Sequence, residues 1–232
     1  MREILRTRRG ELFGVMLSVV IPALDAAATL PGCLEALGPV PDLVVVDGGS
    51  RDATRQIASA AGARVVDSPR GRGVQLAAGA DAARGDWLLF LHADTRLSTG
   101  WRSAAEAHMA RRAEAACFRF RLDDVAWQAR VIERGVAARV RLLGLPYGDQ
   151  GLLVSRALYE AVGGYRPLPL MEDVDLVRRI RRRLLITLDA AAVTSPERWR
   201  RDGWVRRSAR NLACLALHGM GMSAERVAKI YG

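Results

Sequence analysis

Three carboxylates stand where apolar runs give way to turns. Asp25 lies just past LSVVI, Asp47 directly past LVVV, and Asp94 past WLLFL in the segment WLLFLHADT. Gly48 and Gly49 follow Asp47, and His92 and Ala93 precede Asp94. A carboxylate at the carboxyl end of a strand can hold a ribose hydroxyl or a base edge. It can also bind a hard divalent cation through oxygen. Asp, Gly and Ser favour turns in any case, which is the plainer explanation of DGGS. Three successive run ends that each carry an acid are harder to explain by turn chemistry alone. A further pair, Glu172-Asp173, opens a helical pattern, where backbone N–H groups and the helix dipole favour ionised carboxylates. Two acids that only stabilise a helix start are the competing explanation there.

For these acids to share an edge, the runs before them must be parallel strands. Trp87 to Leu91 is short and continuously apolar, as in a strand buried on both faces. The pattern predicts strands at 17–21, 43–46, 64–67 and 87–91, with helices at 29–37, 52–61 and 74–83 between them. Ser50 is expected to cap the second helix and Gly62 to stop it. PRGRG at 69–73 reads as a basic, glycine-rich loop. Strand–helix alternation with short loops predicts an α/β fold with a mostly parallel sheet and right-handed crossovers. Beyond Thr95 the expectations are a helix at 101–112, a strand at 115–121, a basic helix at 126–143 and a loop feeding a strand at 147–154. A short helix ending at Gly163-Gly164, a helix opened by Met171-Glu172-Asp173, a last strand at 184–188 and helices over 204–229 complete the chain. No Pro- or Ser-rich linker interrupts it. One domain is expected over 16–232, with a nucleotide-binding half at 16–100, an acceptor-binding half at 101–232, and 1–15 as an extension.

The 232 residues suffice for one α/β domain with a sizeable core. Lys+Arg is 35 against Asp+Glu 25, a net +10 that favours anionic partners: phosphates, nucleic acid or an acidic membrane face. The excess is mostly Arg, which grips phosphate bidentately. Cys33, Cys117 and Cys214 lie far apart with no CxxC spacing, which argues against zinc or a disulfide framework and fits a reducing cytoplasm. The basic, partly apolar N-terminus loosely mimics a signal peptide, but Glu11, Ser18 and Pro22 interrupt it, and a first buried strand is the better reading. No apolar run reaches the roughly 18 residues a spanning helix needs.

VVIPALD, VVVDGGSRDAT, the GRG loop and LFLHADT together resemble a family-2 glycosyltransferase of the GT-A (Rossmann-like) fold. YGDQGLLV, GGYRPLPLMEDVDL, TSPERWRRDG and the terminal RNL stretch extend the resemblance over nearly the whole chain from Met16. The chain is similar in particular to the bacterial branch called radical-SAM/selenodomain-associated transferase 2, whose members are often linked by name to arsenosugar biosynthesis. The resemblance implies inverting, metal-dependent transfer of a sugar from a UDP- or GDP-sugar to an acceptor hydroxyl. It places Pro22, Ala23 and Asp25 at the base and ribose. Asp47 would contact the base, with Gly48 and Gly49 giving the backbone room to pass the ligand. Arg70 and Gly73 would border base and phosphate. His92-Ala93-Asp94 occupies the place of the usual Asp-x-Asp. Asp94 would bind Mg²⁺ or Mn²⁺ bridging the diphosphate, and His92, in the place of the first acid, would contact the ribose or ligate the metal, Mn²⁺ tolerating imidazole better.

Ser195-Pro196-Glu197-Arg198-Trp199 resembles the Q-x-x-R-W of processive members. Arg198 would grip the departing diphosphate and Trp199 would stack on the acceptor, the alternative for Trp199 being an ordinary packed aromatic. Asp173 would be the general base with Glu172 beside it, and Asp149 and Gln150 would line the acceptor side. Without the Gln or a membrane span, a processive polymer synthase is not expected.

Two other classes compete. A sugar-phosphate nucleotidyltransferase would carry a Gly-rich phosphate loop directly after the first strand, where this chain has VIPALD. A basic nucleic-acid or membrane module would explain the charge but not acids at three run ends, so nucleic acid is not an expected partner. The 204–231 stretch mixes Leu and Ala with Arg and could lie on anionic lipid at the inner membrane face, or pack on the domain. Arg178-Arg179 and Arg181 to Arg183 read as a solvated face, and His108 and His218 as packing or surface residues, with His218 an outside candidate for a metal ligand.

Overall fold

The computed structural model describes residues 15–111 and 115–231, so the extension expected over 1–15 lies outside them except for its last residue. In chain order the elements are β1 (Leu17–Ala23), α1 (Leu30–Leu37), β2 (Asp42–Asp47), α2 (Thr54–Ala60), β3 (Arg64–Asp67), α3 (Arg72–Ala82) and β4 (Trp87–Phe90). There follow β5 (Thr95–Leu97), α4 (Trp101–Ala110), β6 (Ala115–Leu122), α5 (Trp127–Leu143), a 3₁₀ turn (Gly148–Gln150), β7 (Leu152–Ser155) and α6 (Arg156–Ala161). The remainder is α7 (Glu172–Arg179), a second 3₁₀ turn (Arg182–Leu184), β8 (Leu185–Thr194), α8 (Glu197–Asp202), α9 (Trp204–Gly219) and α10 (Ala224–Tyr231).

The strands form one sheet in the order β3-β2-β1-β4-β7-β6-β8-β5. Its first half, β3-β2-β1-β4, is parallel, as the alternation predicts. Its second half is mixed: β7 runs antiparallel to both β4 and β6, β6 is parallel to β8, and β5 is antiparallel to β8. After β3 the chain returns across β1, so β1 has β2 on one side and β4 on the other. That reversal is where open α/β sheets leave a crevice.

Both faces of the sheet are covered, which is why the strand segments read as continuous apolar runs. Val19, Ile21, Val45 and Leu89 point to one face, where Leu30, Cys33 and Leu37 of α1 and Trp101 and Ala105 of α4 cover them. Val20, Val44, Val46, Leu88 and Phe90 point to the other, under Leu76 and Ala80 of α3 and Leu176 and Val177 of α7. No helix among the described residues is long and apolar enough to cross a membrane.

Several local expectations are corrected. Ser50 does not cap α2, which starts at Thr54; its hydroxyl accepts the Asp25 N–H at 2.9 Å and so holds the turn after β1. The last strand runs to Thr194 because Ala190, Ala191 and Ala192 are buried between α4 and the sheet edge. Arg179 is not solvated: its guanidinium binds Asp175 and the carbonyls of Val162 and Gly164. The terminal helices pack on the domain, with Cys214 and Val227 buried against Met171 and Val174. All three cysteines are free and buried, and His108 packs edge-on against Trp87 at 5.5 Å.

α3 sits very close to the sheet. A Cβ on Gly79 would fall 2.3 Å from Val20 Cγ1 and 2.8 Å from Val46 Cγ2. Helix propensity alone favours alanine by about 1 kcal/mol, but stiff β-branched strand residues cannot yield to such an overlap. Gly79→Ala is therefore expected to destabilise the fold by about 1–3 kcal/mol. The urea midpoint measures this, and an unchanged or higher midpoint contradicts the close packing.

Candidate active site

A cleft of about 630 Å³ opens at the carboxyl ends of β1 and β4. β1 delivers Pro22, Ala23 and Asp25 to it, and β4 delivers His92, Ala93 and Asp94. Because β7 is antiparallel to β4, with Phe90 opposite Leu152, the turn before β7 arrives at the same edge and brings Tyr147, Gly148 and Asp149. β5 then pins the segment after Asp94 onto the end of β8. Thr95 pairs with Thr194, their hydroxyls 3.1 Å apart, and Ser195, Arg198 and Trp199 follow directly into the cleft. Met171 and Asp173 come from the start of α7, and Arg207, Asn211 and Tyr231 from the terminal helices.

Gly148 is the junction between these parts. Its N–H donates to Asp173 Oδ2 at 2.7 Å, and a Cβ there would sit 2.6 Å from His92 Nε2. Asp173 Oδ1 accepts the Val174 N–H at 2.7 Å, so both oxygens are fixed by backbone amides. Met171, just ahead, holds a left-handed conformation at φ 64°, which costs a non-glycine residue about 1–3 kcal/mol. Burial, with Arg72 nearby, pushes the His92 imidazole down to about 4, so it is neutral at pH 7. Asp94 has one weak partner among the described residues, the Thr95 hydroxyl at 3.5 Å. Asp149 is half-buried with Oδ1 lacking any partner, and burial lifts its carboxyl to about 6. Arg70 and Arg198 have no carboxylate partner among the described residues, while Arg72 is paired with Glu172. Trp199 stacks against Phe120 at 6.2 Å, yet lines the cleft with its indole N–H unpartnered.

Six of the residues named from the sequence do not line the cleft. Asp47 is 1% exposed; its carboxylate accepts the N–H groups of Gly49 and Ser50 and pairs with Arg55 at 3.1 Å. Burial pushes its carboxyl up, but these hydrogen bonds outweigh that and hold it below the usual range. Gly48 makes room for the Gln75 side chain, not for a ligand: a Cβ would lie 3.0 Å from Gln75 Nε2, which ties β1 to β2 through the carbonyls of Ala23 and Val46. Gly49 meets a backbone demand, φ 93°. Gly73 lets the backbone of Arg166 pass, whose carbonyl would be 2.4 Å from a Cβ. Gln150 is buried and donates to the Phe118 carbonyl at 3.0 Å. Glu172 is fully buried behind the cleft wall against Arg72, with Oε2 unpartnered. Beyond these six, His218, the outside candidate for a metal ligand, is not among the lining residues either.

Sequence reading missed Arg72, Tyr147, Arg207, Asn211 and Tyr231. Arg72 carried a local signal as the second arginine of the PRGRG loop, and opens α3 toward the cleft; Tyr147 and Asn211 lie in the YGDQGLLV and RNL motifs, whereas Arg207 and Tyr231 lie in none of them.

A family model described as "Glycosyl transferase family 2" matches residues 18–150. A PGL/p-HBAD biosynthesis glycosyltransferase of Mycobacterium bovis (strain BCG / Pasteur 1173P2) is 41% identical over 93 residues, 35% of this chain and 36% of that protein. The glucosyl-3-phosphoglycerate synthase of Mycolicibacterium paratuberculosis (strain ATCC BAA-968 / K-10) is 37% identical over 95 residues, 35% of this chain and 29% of that protein. The matches thus span well under half the length of these relatives. Among solved structures, glucosyl-3-phosphoglycerate synthase from Mycobacterium tuberculosis in complex with Mn²⁺, UDP and glucosyl-3-phosphoglycerate superposes with a TM-score of 0.55 at 22% identity, covering 78% of this chain and 71% of that one. At that identity the likeness is one of fold.

The Asp149 carboxyl gives a stability test with a defined sign. It lies at about 6 in the folded chain against 3.8 normally, so the folded state holds this proton more tightly. The stabilisation is fully present below the lower value and lost as pH rises through the upper one. Asp149→Asn is expected to melt above the parent at pH 7.5, by up to about 3 kcal/mol of stability. The gap should close as pH falls below about 6. Equal melting of parent and variant at pH 7.5 contradicts a carboxyl buried with Oδ1 unpartnered.

Proposed function

The chain belongs to glycosyl transferase family 2, and from that premise we propose that it transfers a sugar from a nucleotide-sugar to an acceptor hydroxyl, with inversion at the anomeric carbon. The observation that carries this reading is the convergence of Asp94, Asp173 and the unpaired Arg198 on one cleft at the sheet's reversal point. The finer placement, in the radical-SAM/selenodomain-associated transferase 2 branch, rests on the GGYRPLPLMEDVDL and TSPERWRRDG segments.

The residues present fit a divalent cation of a particular kind. No group of three or more His, Cys, Asp or Glu among the described residues could cage a metal. Asp94, whose carboxylate has only a weak partner among the described residues, lines the cleft with the neutral His92. Mg²⁺ and Mn²⁺ sites of this sort take one or two protein ligands and complete their shell with phosphate oxygens and water. The Mycobacterium tuberculosis synthase crystallised with UDP and either Mn²⁺ or Mg²⁺ supports the same cations, and uridine as the base. When bound, the cation would neutralise charge on the leaving diphosphate.

The chain's own residues do the rest. Asp25 is exposed and anchored by the Arg51 N–H at 2.8 Å, which aims it at the donor's ribose. Arg198 offers two-pronged contact to the departing diphosphate. Asp173, its two oxygens oriented by amide N–H groups, takes the acceptor proton as the hydroxyl attacks. Asp149, with one oxygen unpartnered, orients the acceptor hydroxyls, and Trp199 offers a flat apolar wall. Glu172 holds Arg72 in place and does not touch the acceptor.

Two variants test these roles, assayed by UDP release from UDP-glucose with Mn²⁺ and by calorimetry. Asp173→Asn is expected to lower kcat by about 10²–10⁴-fold while leaving donor affinity unchanged. Near-parent turnover in Asp173→Asn with an inactive Glu172→Gln would reverse the assignment. Asp94→Asn is expected to abolish the Mn²⁺-dependent part of UDP binding, and equal UDP affinity with Mn²⁺ present would remove Asp94 from the cation site.

A further inference from the structure

Helix α5 turns an apolar stripe toward solvent. Of its 17 residues, Ala129 is the one fully buried. With Ile132 and Val136 it packs inward on Phe120, Leu122 and Trp199. On the opposite side Trp127, Val131, Ala138 and Leu142 fall within an arc of about 60°, at about 100° per residue. Trp127 is 71% exposed, Val131 53% and Leu142 67%, and Val125 just ahead of the helix is fully exposed. A surface helix normally gives its outer face to polar side chains, and a contiguous exposed apolar patch marks an interaction site.

The rim of this stripe has one sign of charge. Arg134 and Arg141 border it and are exposed. The helix's single acid, Glu133, faces the other way, accepting the Leu122 N–H at 2.9 Å and pairing with Arg130. Asp123 and Asp124, which precede the helix, are paired with Arg96 and Arg200. The terminal helices, where lipid contact is also an expectation, bury Cys214 and Val227 on the domain and leave Val205, Leu212, Met220 and Ile230 exposed. Trp204, at the start of α9, packs against the inner side of α5, and its neighbour Val205 is 83% exposed.

We propose that the outer face of α5 docks on an anionic lipid bilayer. Trp and Leu along one stripe with arginines beside it is the composition of an interfacial helix, in which the apolar residues enter the headgroup boundary and the guanidinium groups reach phosphates. A second copy of the chain is a poorer occupant, since a two-fold contact would face the arginine rims toward each other with no acid on the stripe to neutralise them. Trp199 belongs both to the cluster anchoring α5 and to the cleft wall, so docking holds that wall at the membrane.

Flotation with vesicles of phosphatidylcholine alone and of an equal mixture with phosphatidylglycerol tests the surface directly. The parent is expected to float with the mixed vesicles and not with phosphatidylcholine, and added salt should weaken the binding. The double variant Trp127→Asp/Val131→Asp should bind roughly tenfold or more weakly while keeping the parent's circular dichroism and UDP affinity. Brominated lipid should quench the parent's fluorescence and quench Trp127→Phe, which still floats, distinctly less. Failure of the parent to float, or equal flotation of parent and double variant, overturns the proposal. So does a lipid-free dimer in ultracentrifugation that the double variant dissolves.

Discussion

Strand polarity decides what meets at the edge of a sheet. A parallel strand delivers the residues after it, whereas an antiparallel neighbour delivers the residues before it. β7 is wedged antiparallel beside β4, so the Tyr147–Asp149 turn lands next to His92 and Asp94. The rest of the site depends on that arrival. The Gly148 amide fixes the Asp173 carboxylate, and its missing side chain leaves the space that His92 Nε2 occupies. Had β7 continued the parallel order, the turn would lie at the opposite edge and α7 would have no anchor at the cleft.

The cleft mixes charges that the chain's overall +10 conceals. Arg70, Arg72, Arg198 and Arg207 line it together with Asp25, Asp94, Asp149 and Asp173. Such a site suits a ligand that is anionic at one end and rich in hydroxyls at the other. On the proposed function, the cationic groups would answer the diphosphate and the carboxylates the sugars and the transferred proton. The buried Arg72–Glu172 pair stiffens the wall between the two regions, at the desolvation cost that any buried pair carries.

The parallel half of the fold was legible because buried parallel strands are continuous apolar runs, and β1 to β4 fall where those runs predict. β5 was not, since Thr95–Leu97 has three residues, one exposed, and exists through pairing with a strand about 100 positions away. The same limit separates the acids that line the cleft from those that do not. Asp47 and Asp94 look alike in sequence, but Asp94 follows a strand at the reversal point, while Asp47 follows the next strand outward and is absorbed by Arg55 and its own turn. Glu172 and Asp173 are neighbours turned about 100° apart on one helix, so one is buried and the other faces the cleft. Tyr231 and Arg207 reach the cleft only through the packing of α9 and α10, which no local pattern encodes.

On the proposed reading, a cation held by Asp94, with at most His92 as a second protein ligand, would need the nucleotide to complete its shell. Calorimetric titration of Mn²⁺ into the chain, with and without saturating UDP, measures that dependence most directly. Mn²⁺ is expected to bind at least about tenfold more tightly when UDP is present, and UDP to gain the same factor from Mn²⁺, as linkage requires. Equal Mn²⁺ affinity in the two titrations would contradict a shared cation and, with it, the catalytic role given to this edge of the sheet.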